Sequence, residues 1–187
     1  MQREHWVKIS AASARQRFNG CEPTYIRDVC HGRCCESSTA PGGTMITIHP
    51  SEQAMIESVG GVVIDGLLQP NAATRKCVFK TADHLCGLHG TSCKPFGCIA
   101  SPFTLNKNDT LIVRNRYRLL KCYNDGRRLP AYIAFRSSLR LIFGDQWTTL
   151  IIDHLEAGGG DMKAPISAHQ YQMLHENDAI KKRAVAA

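Results

Sequence analysis

The chain has 187 residues, of which 43% are hydrophobic and 21% charged, and its formal net charge at pH 7 is +7. These values are ordinary for a single globular protein, and we find no internal repeat or long low-complexity tract. No stretch approaches the roughly 18 apolar residues of a membrane span, and the first residues lack the apolar run of a signal peptide. We therefore expect a cytoplasmic protein without a membrane segment.

In the first part of the chain, the pattern predicts a short helix over 9–18 that ends at the turn pair Asn19-Gly20. Residues 45–48 are typical of a strand. A helix is predicted to follow, with Ser51 as its N-cap and the two glycines at 60–61 as its stop.

Residues 70–105 are predicted to form a cysteine-rich loop, and the alternation over 103–121 predicts a hairpin that turns at 106–109. Helical spacing resumes after Pro130, and a second helix is expected after Asp145. Ser167 and Gln170 match a capping box that would open a last helix, ending in the cations at 181–183. The predicted class is α+β: a small metal-organised cysteine-cluster core with a short antiparallel hairpin (1–128), followed by C-terminal helices packed on it (129–187).

Nine cysteines are the most unusual feature of the composition, and eight of them lie between positions 30 and 122. Three observations argue against disulfides. Disulfides need an oxidising compartment, and an odd number of cysteines leaves one thiol unpaired. Adjacent cysteines also make poor disulfide partners for each other. Metal binding suits the pattern better, because Cys30-x3-Cys34 and Cys93-x4-Cys98 let one turn present two thiolates. Three histidines lie among these cysteines and add candidate imidazole ligands: His31, His84 and His89.

The adjacent pair Cys34-Cys35, here called the doublet, restricts the kind of metal site. The side chains of neighbouring residues diverge in most backbone conformations, so both rarely bind one tetrahedral zinc ion. The doublet favours two metals or a polynuclear cluster approached from several sides. Thiolates select zinc, copper(I) or iron–sulfur clusters.

The positive charge is concentrated in one segment. Residues 106–140 contain nine Lys or Arg and two Asp, whose balance of +7 equals that of the whole chain. Arg114, Arg116 and Arg118 alternate and are expected to share one face of a strand, which would form an anion-binding surface. The alternatives are a solvated strand face, a nucleic-acid or acidic-partner surface, a site for a small anion, or a source of hydrogen bonds to cluster sulfur.

The segments Cys30-His31-Gly32-Arg33-Cys34-Cys35, Cys86-Gly87-Leu88-His89 and Lys94-Pro95-Phe96-Gly97-Cys98 give the chain a family likeness. Over about residues 18–124 it resembles the zinc- or iron-chelating cysteine-cluster family, also called the CxxCxxCC or YkgJ-type proteins. It is more distantly similar to the cluster region of flagellin lysine-N-methylases. Relative to that pattern, one cysteine is missing or has moved to Cys21, and Cys93 is additional.

The resemblance and the doublet together imply a metal site with seven expected ligands: Cys30, Cys34, Cys35, Cys77, Cys86, Cys98 and Cys122. Three further residues are secondary candidates: Cys21, Cys93 and His89. The leading hypothesis is an iron–sulfur (4Fe–4S) protein with a redox or macromolecule-modifying role. The alternatives are a non-enzymatic zinc module that contacts nucleic acid or an acidic partner through 106–140, and a protein that delivers labile metal.

Overall fold

The structure is a computed structural model that describes residues 4–36, 45–123 and 129–175. It confirms the α+β class, with small sheets, a short antiparallel hairpin and helices in the C-terminal part. No helix in these three ranges is both long enough and apolar enough to cross a bilayer.

The strands are short and form three sheets, ordered β6-β7-β1-β9, β2-β8 and β3-β5-β4. Their bounds are β1 Glu4–Ile9, β2 Arg17–Phe18, β3 Ile46–Thr47, β4 Val63–Ile64, β5 Leu67–Leu68, β6 Phe103–Leu105, β7 Thr110–Val113, β8 Leu129–Pro130 and β9 Met162–Ser167.

Most helices are also short. The α-helices are α1 Ala11–Ala14, α2 Pro23–Tyr25, α3 Pro50–Ser58, α4 Phe96–Ile99, α5 Ala131–Ala134, α6 Arg136–Glu156 and α7 over 168–175. A π-helical turn covers Ile26–Cys30, and two 3-10 helices cover Arg33–Cys35 and Asn115–Leu119.

The main sheet is organised around β1, which pairs in parallel with β7 and antiparallel with β9. Val7 and Ile9 of β1 are almost fully buried, whereas Glu4 and Lys8 are exposed. Neither β1 nor β9 was predicted, since β1 is interrupted by charged residues and β9 contains Pro165. A proline is tolerated in β9 because this strand lies at the edge of the sheet.

The predicted hairpin is present as β6 and β7, which pair antiparallel from Phe103–Val113 to Leu105–Leu111. It is shorter than the expected 103–121, because the second strand ends at Val113 and a 3-10 helix follows. Beyond the end of β1, the backbone N–H of Val113 donates instead to Ser13 Oγ of α1 at 2.7 Å. Ser13 Oγ thus satisfies a buried backbone donor of β7.

We expect Ser13→Ala to lower the free energy of unfolding by about 1–3 kcal/mol, because the Val113 N–H would then be buried without an acceptor. Urea denaturation monitored by circular dichroism would measure it. Ser58→Ala is the control, since the Ser58 hydroxyl is exposed and donates to the Met55 carbonyl. Equal unfolding midpoints for the two variants would contradict the assignment.

The C-terminal helices follow the prediction closely. The long helix α6 is interrupted at Gly144, whose φ of 74° and ψ of 175° are not helical and suit glycine. The second helical piece therefore begins near Asp145, as expected. The capping box is confirmed, because the Gln170 N–H donates to Ser167 Oγ at 3.2 Å and the Ser167 N–H to Gln170 Oε1 at 3.0 Å. The expected helix end at 181–183 lies outside the described residues.

Two local predictions were wrong. The helix expected over 9–18 is confined to α1, because Phe18 is fully buried and pairs with β8 instead of continuing a helix. The N-cap of α3 is His49, not Ser51, since Pro50 occupies the first helical position and the His49 ring accepts from the Ser51 N–H.

Two hydrophobic cores support the fold. The main core joins the large sheet to α5, α6 and α7, and the second core is built from Ile48, Ile56, Leu68 and Leu88. The predicted boundary between 128 and 129 stays a prediction, although β1 and β9 pair across it in one sheet.

Candidate metal centre

Eight of the nine cysteines line a single cavity of about 280 Å³ between the two cores. All seven expected ligands are among them, and the eighth is Cys21, one of the three secondary candidates. All nine cysteines are free thiols. The cavity is roughly twenty times the 10–15 Å³ that one water molecule needs. It therefore has room for a multi-atom group.

One side of the cavity is assembled by the segment after β2. The Asn19 N–H donates to the Cys122 carbonyl at 2.8 Å, and the Tyr25 hydroxyl donates to the Lys121 carbonyl at 3.1 Å. These bonds hold the α2 and π-helical region, with Cys21 and Cys30, against the chain around Cys122.

The opposite side is assembled by the loop after β5. The Cys77 N–H donates to the Cys35 carbonyl at 3.0 Å, and the Lys80 N–H donates to the Cys77 carbonyl at 3.0 Å. Lys80 also forms an isolated β-bridge with Cys86. Cys98 joins this side from α4, which packs against β3.

The doublet lies between the two sides, and its sulfurs are 3.9 Å apart. The hydrogen bond from Cys35, assisted by the charges of Arg116 and Lys80, lowers the pKa of Cys34 to about 6. The same hydrogen bond and burial raise the pKa of Cys35. Cys34 is therefore the thiol that most readily becomes a thiolate, which is the form that binds metals.

Burial has the opposite effect on the surrounding thiols. It raises the pKa of Cys98 and of Cys122 to about 12 in each case, and it also raises the pKa of Cys30 and Cys77. Neighbouring thiolates add to the increase, chiefly Cys77 acting on Cys98 and Cys21 acting on Cys122. A metal that binds here must displace protons from these thiols, so its apparent affinity rises with pH.

A buried ion pair joins the two cysteine loops. Lys80 Nζ lies 3.2 Å from Glu36 Oε1, with only 2% of the lysine side chain and 18% of the glutamate side chain exposed. Gly32 packs beside this pair, where an added Cβ would lie 2.6 Å from the carbonyl oxygen of His84. No local sequence signal predicts this pair, because its partners are 44 residues apart.

The expected row of three arginines on one strand face is wrong in its geometry. The segment forms the 3-10 helix Asn115–Leu119, in which residues two apart point in different directions. Arg114 and Arg116 line the thiol cavity, whereas Arg118 is exposed. Leu119 is also exposed. Anion binding by these three arginines stays a prediction.

The cavity wall is cationic. Arg33, Lys94, Arg114 and Arg116 line it, and no Asp or Glu of the described ranges does. Arg116 is held in place by its own neighbour, with the guanidinium carbon 4.6 Å from the centre of the Tyr117 ring. These cations offset the negative charge that thiolates bring together.

The secondary ligand candidates differ in whether they line the thiol cavity. Cys93 does not line the cavity and packs against the second core, whereas His89 and His84 line it. His89 Nδ1 lies 3.3 Å from Lys94 Nζ. The ring of His84 is 4.7 Å from that of His31, whose buried Nδ1 has no hydrogen-bond partner in the described part of the chain.

Within residues 4–36, 45–123 and 129–175, no three Cys, His, Asp or Glu side chains are close enough to hold a single metal ion. The donor set is nevertheless rich in thiols around one roomy cavity. Thiols spread around such a cavity could hold a polynuclear group, and metal binding here stays a prediction. The chain matches no protein-family model, no curated protein and no solved structure, so the likeness to the cysteine-cluster family stays a prediction.

Proposed function

We propose that the protein is a cysteine-cluster metalloprotein that binds an iron–sulfur cluster and has a redox or macromolecule-modifying role. The observation that carries the proposal is the convergence of eight thiols on one cavity. Soft thiolates are the ligands that iron–sulfur clusters use, and such a cluster would supply electron transfer or Lewis-acid chemistry when bound.

The surrounding residues support this proposal. Seven thiols were expected as ligands, and the positive side chains of Arg116 and Lys80 act on the doublet. Cations and hydrogen-bond donors near cluster sulfur stabilise its negative charge and tune the reduction potential. Apolar side chains, among them Phe79, Leu88 and Leu120, line the same space.

The proposal is tested by measuring iron, zinc and acid-labile sulfide in protein purified without oxygen, together with its visible absorption spectrum. We expect iron and sulfide in equal amounts and a broad absorption band at the blue end of the visible spectrum. Stoichiometric zinc without sulfide, unchanged after anaerobic reconstitution with iron and sulfide, would reject the iron–sulfur proposal.

That second result would favour the zinc-module alternative, in which the 106–140 surface contacts nucleic acid or an acidic partner. The exposed position of Arg118 makes it the arginine of the three that is available to such a partner. Under this alternative, Arg118→Ala weakens salt-dependent binding to a DNA or RNA duplex, whereas unchanged binding removes Arg118 from consideration.

A further inference from the structure

The doublet divides the thiol cavity into two sets of four cysteines. Cys34 packs against the main core together with Cys122. Cys77 and Cys86 pack against the second core. The two groups are thus attached to different parts of the fold, although they face the same cavity.

Cys21 and Cys30 belong with Cys34 and Cys122. The chain around Cys122 is bonded to the segment that carries both, through Asn19 and Tyr25. The isolated β-bridge between Phe18 and Tyr123 continues the same contact. These four cysteines form the first set.

Cys35 belongs with Cys77, Cys86 and Cys98. Its carbonyl accepts from the Cys77 N–H at 3.0 Å, and the neighbouring residues Glu36 and Lys76 form a β-bridge. Cys35 and Cys77 also line a second, smaller cavity of about 30 Å³, in which Cys34 takes no part.

Cys98 is carried to this side by α4. The Phe96 N–H at the start of that helix donates to Glu52 Oε1 of α3 at 2.6 Å, and α3 places Ile56 in the second core. Phe96 and Ala100 of α4 also pack in the main core, so this helix joins the two cores. We assign Cys98 to the second set, with Cys35, Cys77 and Cys86, on the strength of the bond from Phe96 to Glu52.

We propose that the chain holds two metal centres, one bound by Cys21, Cys30, Cys34 and Cys122 and the other by Cys35, Cys77, Cys86 and Cys98. This inference rests on the proposed function for the type of metal group. Four thiolates are the usual ligand set of one iron–sulfur cluster, and eight thiols satisfy two such sets without remainder. The doublet then supplies one sulfur to each centre, across the 3.9 Å that separates the two sulfurs.

The stoichiometry of the wild-type chain is the first test. Anaerobically reconstituted protein is expected to contain about eight iron and about eight sulfide per chain, since each 4Fe–4S cluster contributes four of each. About four of each would overturn the two-centre proposal while leaving the proposed function standing. Absence of iron and sulfide would instead reject the proposed function.

Two single variants give the second test, because each removes a thiol from one set. Cys30→Ser and Cys98→Ser are each expected to lose about half of the iron and half of the visible absorbance. Redox titration of each is expected to retain one of two wild-type transitions. Loss of all iron in both folded variants would indicate one shared centre. Cys93→Ser is the matched control and should keep the full content, because Cys93 lies outside the thiol cavity.

If either variant fails to fold, electron paramagnetic resonance of the reduced wild-type protein distinguishes one centre from two. Two clusters within one cavity lie close enough for their spins to interact, so the fully reduced signal is expected to be broadened relative to the half-reduced one. An unbroadened signal that integrates to one spin per chain would overturn the proposal.

Discussion

Replacing the doublet in Cys34→Ser/Cys35→Ser is expected to leave the reconstituted protein without iron, without sulfide and without visible absorption. The doublet lies between the two sides of the cavity, so its removal takes a ligand from each proposed set. A serine hydroxyl is a hard donor with a far higher pKa than a thiol, and it does not replace a soft thiolate. Iron analysis and absorbance per chain measure the loss.

Cys93→Ser isolates the effect of position from that of thiol number. Cys93 packs against the second core and takes no part in the cavity wall, so this variant should retain the wild-type iron content. Circular dichroism of both metal-free proteins checks that each folds. Equal iron contents in the doublet and Cys93 variants would contradict the assignment of the cavity as the metal site.

Gly32→Ala is expected to destabilise the cysteine region strongly and to reduce metal retention. Gly32 has φ of 57°, a conformation that costs an alanine about 1–2 kcal/mol. The new Cβ would also lie 2.6 Å from the His84 carbonyl oxygen, so the loop that carries the doublet would have to move from the loop that carries Cys77 and Cys86. The total loss should therefore exceed the conformational cost alone. Thermal unfolding and iron retention during dialysis against a chelator measure the effect.

Gly90→Ala is the matched control for this substitution. Gly90 also has positive φ, at 81°, but nothing lies within 4 Å of an added Cβ. The Gly90→Ala variant should lose only the roughly 1–2 kcal/mol of stability that positive φ costs an alanine, and it should keep its metal. Similar losses of stability and of iron in the two variants would show that the close approach of Gly32 to His84 has no importance.

Local sequence signals were sufficient for the features that depend on neighbouring residues. The hairpin from Phe103 to Val113, the break before Asp145 and the capping box at Ser167 were all predicted correctly. Each depends on contacts within a few residues, where periodicity and turn chemistry act directly. The seven cysteines expected as ligands from spacing and resemblance all line one cavity, and their binding of a metal stays a prediction.

Tertiary structure decided the features that depend on contacts between segments far apart in the chain. The strand β1 forms because β7 and β9 lie on either side of it, about 100 and 160 residues along the chain, and its own alternation is weak. Likewise, Arg114 and Arg116 face the thiols because the segment after β7 winds into a 3-10 helix that its alternating arginines did not predict.

The cysteine count and the doublet by themselves determined that a thiol-rich site is expected, since these residue types carry that chemistry wherever they lie. Only the fold decided that Cys21 lines the cavity and that Cys93 does not. Backbone hydrogen bonds between distant segments, such as Asn19 to Cys122 and Cys77 to Cys35, set which thiols are neighbours. The spacing of residues along the chain does not contain that information, because it arises from the packing of two separate cores.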